Sequence, residues 1–395
     1  SYSQSEILRR QTESLNIAEF HKLGFTGKGI RVAIFDAGFP NTETNPALEH
    51  VIANKRIIAT NDFIKNRTDV FKYNMHGTAV LSCVAGIYNG KPVGTAPDAE
   101  FLLARTESVG ETIAEEEHWL AAAEWADKMG AHIINSSLGY TYHRYFPSQM
   151  NGEYSLISHA ANMAVKKGIL VVSSMGNDGD TDWKYLSTPA DADSVLSVGA
   201  INPNTGYRSS FSSYGPTADN RIKPNVTAQG HVMAAEKGGL VGISGTSFSS
   251  PLVAGFAACA LQSNRKLSAV ELKNLIEKSG SLYPYFDYAH GFGVPNAKKF
   301  LKPELKTNTG AIKFEQTSEF IYLTVEKKLI KYGDNNYLYF HIENNNGFLL
   351  KYGLVKVEQE NSHSVRIENN GNEKILRVHF NGYTEEYSIK EMVNY

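Results

Sequence analysis

Two kinds of hydrophobic patterning divide the chain. Through its first 300 or so residues, short and nearly continuous apolar runs recur: Ile30-Arg-Val-Ala-Ile-Phe35, Ala131-His-Ile-Ile-Asn135, Ile169-Leu-Val-Val172 and Val195-Leu-Ser-Val198. Longer stretches with helical spacing of apolar positions fall around them, at 79–87, 113–129, 156–167 and 249–262. Continuous apolar runs belong to strands buried on both faces, and helices between such strands are crossover connections. The pattern therefore predicts an α/β fold, a mostly parallel twisted sheet flanked by helices with right-handed crossovers. In that architecture functional residues collect beyond the carboxyl ends of the strands.

Beyond Pro303 the pattern changes to alternation. All 13 prolines lie at or before this position, and the only alanine after it is Ala311. Phe320-Ile-Tyr-Leu-Thr-Val325, Tyr337-Leu-Tyr-Phe-His-Ile342, the run 349–357, Val365-Arg-Ile367 and Ile375-Leu-Arg-Val-His-Phe380 read as strands. The Asn- and Gly-rich segments 333–336, 344–347, 369–372 and 381–382 read as turns between them. Regularly spaced short strands without helical periodicity predict a small all-β sandwich of antiparallel strands. The expected division is thus an α/β domain at 1–302 and a β domain at 303–395.

Composition narrows the class of function. Lys plus Arg number 39 against 41 Asp plus Glu, a net charge of −2, which argues against a nucleic-acid binder working through a basic surface. No run approaches the roughly 18 apolar residues of a membrane-spanning helix. Two cysteines, Cys83 and Cys259, are too few for a disulfide scaffold or a thiolate zinc site. Their apolar neighbours suggest buried, inert thiols, with a bridge between their two helices left open. The polar segment 1–20 lacks the apolar core of a signal peptide, and the first residue is Ser. A processed chain whose targeting segment has been removed is the expectation.

Three residues stand where the strand-end rule directs attention. Asp36 closes the first apolar run, His76 precedes an apolar helix in Asn74-Met-His-Gly-Thr-Ala79, and Ser247 lies in Gly242-Ile-Ser-Gly-Thr-Ser-Phe-Ser-Ser-Pro251. A serine oxygen, an imidazole base and a carboxylate that fixes the imidazole tautomer are what attack on an acyl carbon requires. Taken singly, the first two also fit a strand-end turn and a polar residue beside a glycine hinge. The serine segment is more specific. A helix N-terminus offers free N–H groups and the positive end of the helix dipole to an oxyanion. Pro251 is expected in the first helical turn, where no donor is needed.

In this order, and with these flanks, the three motifs resemble the subtilisin-like serine proteases, the subtilase family, over roughly residues 15–300. The resemblance starts at Gly27-Lys-Gly-Ile-Arg-Val-Ala-Ile-Phe-Asp36 and continues through His76-Gly-Thr and Gly245-Thr-Ser-Phe-Ser-Ser-Pro251. It implies that Asp36, His76 and Ser247 form a catalytic triad. It also implies that Asn177, in Val171-Val-Ser-Ser-Met-Gly-Asn177-Asp-Gly179, donates its side-chain amide to the oxyanion beside the Ser247 N–H. Read by itself, that segment is equally a tight turn after a strand.

Ser137, Leu138 and Gly139 resemble one substrate-pairing segment, and Ser108 and Gly110 fall where the family has the opposing one. Extended polypeptide would then be held between two strands, with main-chain hydrogen bonds giving affinity and pockets giving selectivity. The implied activity is peptide-bond hydrolysis in extended polypeptide segments through an acyl-enzyme. It should rise with pH as His76 loses its proton, near pH 6–7 at the ordinary imidazole value. No cofactor is required, and no nucleic-acid partner or membrane span is implied. The resemblance further implies a removable pro-segment outside this chain and a secreted, periplasmic or cell-surface location. The alternative is a catalytically silent relative that binds peptides. The β domain reads as a folding support or as a surface- or carbohydrate-binding module.

Four local features depart from the family pattern or lie beside it. Segment 140–154 looks long and carries Tyr140, Tyr142, Tyr145, Phe146 and Tyr154, either as an aromatic wall over the first specificity pocket or as a loop packed on its own domain. Glu111, Glu115, Glu116 and Glu117 suit basic substrate residues, or simply the acidic start of a helix. Asp178, Asp180 and Asp182 alternate in an oxygen-rich loop that allows a structural calcium but lacks the spacing of a known calcium loop. The stretch 88–97 looks too short for the calcium-binding insertion of some family members.

Overall fold

The computed structural model describes residues 3–108, 112–202, 205–303, 308–317, 320–330, 336–357, 362–366 and 373–390. The chain divides into two compact units, Ser1–Gly280 with Tyr288–Pro303, and Ser281–Asp287 with Glu304–Tyr395. The short excursion Ser281–Asp287 crosses the boundary that the composition break suggests, because its apolar and aromatic groups are used by the second unit.

The first unit is built on a seven-stranded sheet. Its strands are β1 (Arg31–Asp36), β2 (Ile57–Asp62), β3 (Glu100–Arg105), β4 (Ile133–Ser136), β5 (Leu170–Ser174), β6 (Leu196–Ile201) and β7 (Val226–Gln229). They lie in the order β2-β3-β1-β4-β5-β6-β7, and every neighbouring pair is parallel. β4, β5 and β6 are buried along their whole length, which is why they appear in the sequence as nearly continuous apolar runs interrupted only by Asn135 and small residues. The edge strand β2 is mostly half-exposed and ends in Thr60-Asn61-Asp62, so its pattern is mixed.

Successive strands are added on one side of β1 up to β3 and on its other side from β4 onward. Such a reversal opens a crevice beyond the carboxyl ends of the central strands. Asp36 ends β1, Arg105 ends β3 in register with it, and Ser136 ends β4.

Two helices run into this crevice. The helix His76–Ala85 is buried from Gly77 to Ala85. The helix Thr246–Ser263 is buried from Thr246 to Leu261 and passes through the middle of the core. Gly77 is required by close approach: a Cβ there would lie 2.3 Å from the Gly38 carbonyl oxygen and 2.8 Å from the Phe39 ring. The first turn of the His76 helix therefore sits directly on the loop that follows Asp36. Cys83 and Cys259, one in each helix, are free and buried, and burial pushes the Cys83 thiol up to about 12. Their expected inertness agrees with this setting, and no bridge joins them.

The second unit is a sandwich. One antiparallel sheet orders Ile312–Gln316, Phe320–Val325 and Ser362–Arg366; the other orders Leu349–Lys356, Tyr337–Asn344, Glu373–Phe380 and Tyr383–Ser388. Ile321, Leu323 and Val325 from the first sheet share a core with Leu338, Phe340, Ile342, Leu376, Val378 and Phe380 from the second. Strand 320–325 alternates buried and outward-facing residues, as a sheet with one face in a core must. Tyr285 from the excursion stacks on His341 at 4.9 Å and donates its hydroxyl to Asp287 at 3.0 Å. Ile367 and the turns expected at 333–335 and 369–372 lie outside the described residues. Among the described residues no helix is long and apolar enough to cross a membrane.

The tight seat of Gly77 yields the first prediction. Gly77→Ala should lower stability by about 1–3 kcal/mol, the usual cost of forcing a methyl group into a filled contact. The shift in the unfolding midpoint measures this, and an unchanged midpoint would contradict the close approach.

Candidate active site

Asp36 is fully buried. Its Oδ1 accepts the Ala37 N–H at 2.8 Å, and both carboxylate oxygens lie 2.9 Å from His76 Nδ1. A buried carboxylate is costly unless it is paired and hydrogen-bonded, so the imidazole and the Ala37 amide account for its tolerance here. The carboxylate orients Nδ1 as the protonated ring nitrogen and leaves Nε2 facing away from it.

His76 opens its helix, with its own N–H donating to Asn74 Oδ1 at 3.0 Å. Burial works against its charged form, yet the Asp36 charge and hydrogen bond, with a contribution from Glu107, outweigh that and raise its pKa to about 9. This lies above the pH 6–7 suggested by the ordinary value, because the carboxylate that shifts it is brought in by the fold.

Ser247 is the second residue of its helix and is 8% exposed. Its N–H is among the first groups of the helix, which have no intrahelical acceptor. The neighbouring Phe248 ring lies 5.3 Å from the His76 ring, which brings the two motifs together. The Ser247 hydroxyl donates to the Ser137 carbonyl at 3.1 Å, and among the described residues no hydrogen bond joins it to His76. Catalytic hydrogen bonds are often loose in the unliganded state, and rotation about one side-chain bond redirects this hydroxyl.

Pro251 lies beyond the first turn, as the sixth residue of the helix Thr246–Ser263 and not within its opening turn as expected. Its missing N–H withdraws the partner that the Ser247 carbonyl would have within the helix. That carbonyl instead accepts the Ser137 hydroxyl at 2.8 Å. Asn135 Nδ2 donates to Ser137 Oγ at 2.9 Å, and Ser250 Oγ donates to Asn135 Oδ1 at 2.8 Å, closing a buried network between β4 and the serine helix.

Asn177 follows β5. Its Oδ1 accepts the Thr246 N–H at 2.9 Å and the Thr246 hydroxyl at 3.0 Å. Both bonds to the carbonyl oxygen leave Nδ2 as the outward donor, beside the start of the serine helix; a Cβ on Gly245 would lie 3.7 Å from it. Among the described residues Nδ2 has no hydrogen-bond partner.

Ser137, Leu138, Gly139, Ser174, Gly176, Asn177, Ser187 and Ser247 line one cleft of about 240 Å³, with Thr141, Tyr142 and His143 at its rim. A Cβ on Gly139 would fall 2.2 Å from Ser187 Oγ, so this wall is brought as close as backbone allows. Ser108 stands apart from these residues, its N–H and hydroxyl both donating to Glu115 Oε1 at 2.9 and 3.1 Å. Gly110 and Glu111 lie outside the described residues.

Both ambiguous features of the sequence take definite positions. Glu115 and Glu116 are 1% and 3% exposed and pair with Arg144, so they do not offer an acidic surface to basic substrate residues. Segment 140–154 divides: Tyr140 and Tyr145 point their hydroxyls at those carboxylates, whereas Tyr142 and His143 reach the cleft rim. The 178–182 loop closes on itself, with Thr181 donating its N–H and hydroxyl to the Asp178 carbonyl at 3.0 and 2.9 Å. Its aspartates do not converge, and among the described residues no group of three or more His, Cys, Asp or Glu is placed to hold a metal ion.

Sequence reasoning put Arg105 only at the start of the opposing substrate segment, and its bonds to the Asp36 loop were not foreseen. Its Nε donates to the Ala37 carbonyl at 3.1 Å, its Nη1 pairs with Asp62 at 3.1 Å, and its guanidinium lies 3.6 Å from the Tyr73 ring centroid. It thereby ties the Asp36 loop to the segment leading into His76. The available signal was a charged residue ending the apolar run Phe101-Leu-Leu-Ala104.

Comparison with known proteins agrees with this arrangement. The profile of the subtilase family matches residues 27–293. Subtilisin BL of Lederbergia lenta is 30% identical over 284 residues, covering 70% of this chain and 93% of that protein. The crystal structure of MycP1 with its N-terminal propeptide removed superposes with a TM-score of 0.60 at 26% identity, covering 75% of this chain and 98% of that one. A cold-adapted subtilisin-like serine proteinase gives a TM-score of 0.54 at 25% identity, over 69% and 88% of the two chains. From the Asp36 loop to the serine helix, then, the chain belongs to the subtilase family of serine proteases.

Proposed function

We propose that the protein is a serine endopeptidase whose nucleophile is Ser247, whose base is His76 and whose orienting carboxylate is Asp36. The observation that carries this reading is the buried Asp36 carboxylate at 2.9 Å from His76 Nδ1, with Phe248, the residue after Ser247 at the helix start, 5.3 Å from the same ring. The Ser247 hydroxyl turns from the Ser137 carbonyl to His76 Nε2, gives up its proton there and attacks the scissile carbonyl carbon. Negative charge then develops on the carbonyl oxygen, and two donors meet it: the Ser247 N–H and Asn177 Nδ2. Imidazolium returns the proton to the departing amine, leaving an acyl-enzyme. Water, activated by the same imidazole, releases the acyl group and regenerates the serine.

The substrate is a polypeptide in extended conformation, lying between Ser137-Leu138-Gly139 on one side and the segment through Ser108 on the other. A substrate recognised by main-chain hydrogen bonds needs no complementary charge, which suits the chain's near-zero net charge. The reading includes a removable pro-segment, as in the MycP1 neighbour, and an extracellular or cell-envelope location. A peptide-binding role without turnover leaves the Asp36–His76 pairing and the oriented Asn177 amide without a purpose.

Two outcomes follow from the geometry. Neutral His76 is the active form, so kcat/KM should rise with pH through the His76 pKa, with its midpoint above 6.5 and towards about 9. A midpoint at or below 6.5 in the pH–rate profile would show that Asp36 does not act on His76 as described. Separately, Asn177→Ala should lower kcat about 10²–10³-fold, the cost measured for such a donor in subtilisin itself, with a much smaller change in KM. Steady-state kinetics on a peptide substrate decides this, and loss confined to KM would remove Asn177 from the oxyanion site.

A further inference from the structure

Behind the cleft lies a buried ionic cluster that the reaction itself does not use. Arg144, with its side chain 9% exposed, sits between two carboxylates: Nη1 lies 3.2 Å from Glu116 Oε1, and Nη2 lies 3.7 Å from Glu115 Oε2. Nη2 also donates to the Thr112 carbonyl at 2.5 Å, and the guanidinium lies 3.9 Å from the Tyr140 ring centroid. The Tyr140 hydroxyl donates to Glu115 Oε2 at 3.2 Å, and the Tyr145 hydroxyl donates to Glu116 Oε1 at 2.6 Å. Glu115 Oε1 takes the N–H and hydroxyl of Ser108 at 2.9 and 3.1 Å.

One carboxylate therefore joins Ser108 to Tyr140, the residue that follows the wall 137–139. Ser108 follows β3 after that strand has ended at Arg105, so sheet pairing no longer fixes its position. Both of its hydrogen bonds go to Glu115. The opposite wall, 137–139, leads straight into Tyr140, whose hydroxyl and ring are held by the same Glu115 and by Arg144. Tyr140 is fully sequestered and also exchanges backbone hydrogen bonds with Thr188. Buried charge-assisted bonds of this kind are geometrically demanding, because each unmet partner loses its full solvation.

We propose that Glu115 and Arg144 are positioning residues that set the spacing between the two substrate-flanking segments, and so govern how strongly the enzyme exploits peptide residues well before the scissile bond. The inference rests on the proposed reading that 106–108 and 137–139 flank the substrate. Neither residue touches the reacting atoms. Their effect is on the walls, which matter more as the bound peptide lengthens. Remote binding energy of this sort appears in the difference between long and short substrates.

Glu115→Gln is the informative change. It preserves shape, but its amide nitrogen cannot accept from Ser108 or from Tyr140, whichever way the amide turns. Tyr140→Phe removes only the hydroxyl link, and Arg144→Lys keeps the charge while losing the planar fork. The measurement is kcat/KM for two p-nitroanilides with the same final residue, one an acetylated single residue and one a tetrapeptide. Each variant is normalised by fluorophosphonate titration, which counts folded and competent molecules.

Wild type should gain on the order of 100-fold from the longer peptide, and Glu115→Gln should reduce that gain about tenfold, chiefly through KM. Tyr140→Phe and Arg144→Lys should fall between the two. Equal losses on both substrates, or a length gain unchanged in Glu115→Gln, would overturn the positioning role while leaving the two-walled cleft in place. A wild type with no length gain at all would instead overturn the two-walled reading, and the positioning role with it.

Discussion

A carbonyl oxygen released by a proline holds this site together. Pro251 cannot donate to the carbonyl of Ser247, which would otherwise be satisfied inside the helix Thr246–Ser263. The Ser137 hydroxyl fills that gap at 2.8 Å, while the Ser247 hydroxyl rests on the Ser137 carbonyl at 3.1 Å. Two hydrogen bonds in opposite directions thus join Ser247, the proposed nucleophile, to the wall on which substrate backbone is proposed to lie. Asn135 and Ser250 extend the connection into fully buried surroundings, where leaving any one of these groups unpaired is expensive. The position of Ser247 and the position of the wall become one variable.

The charged groups follow the same logic at greater depth. Asp36, Asp62, Glu115 and Glu116 are all buried at strand ends or at the start of a helix, and each meets a cation or several donors. Around Asp36 the pairing perturbs a base, because His76 gains more from the carboxylate than it loses by burial. Around Asp62 and Glu115 the pairing fixes loops. Arg105 grips the Ala37 carbonyl and the Tyr73 ring, and Arg144 grips the first turn of the helix Ala114–Lys128. Buried ion pairs are weak evidence for stability in themselves, but they are unforgiving about geometry, and geometry is what a cleft of this kind requires.

The sequence exposed these features unevenly. Strands buried on both faces were legible because apolar side chains dominate them, with only small or hydrogen-bonded polar residues between, and the serine segment was legible because its glycine, hydroxyls and proline lie together in one short stretch. The edge strand β2 was hidden by its half-exposed residues and its polar Thr60-Asn61-Asp62 end, and β3 by the polar residues at its two ends, Glu100 and Arg105. Pro251 was misplaced within its helix because that helix begins at Thr246, earlier than the apolar spacing at 249–262 suggests. The acidic residues near 115 read as the acidic start of a helix or as a feature favouring basic substrate residues, and their pairing with Arg144 was hidden because it comes from a loop much later in the chain. The His76 shift was invisible for the same reason: the base and the carboxylate that tunes it meet only after folding.

The proposed mechanism requires a single activated serine at the start of a helix, and labelling with a fluorophosphonate tests that most directly. Mass-spectrometric mapping of the native protein should find one adduct, on Ser247, absent from Ser247→Ala and strongly slowed in His76→Ala. Failure of the native protein to label, or an adduct on another residue that persists in Ser247→Ala, would contradict it.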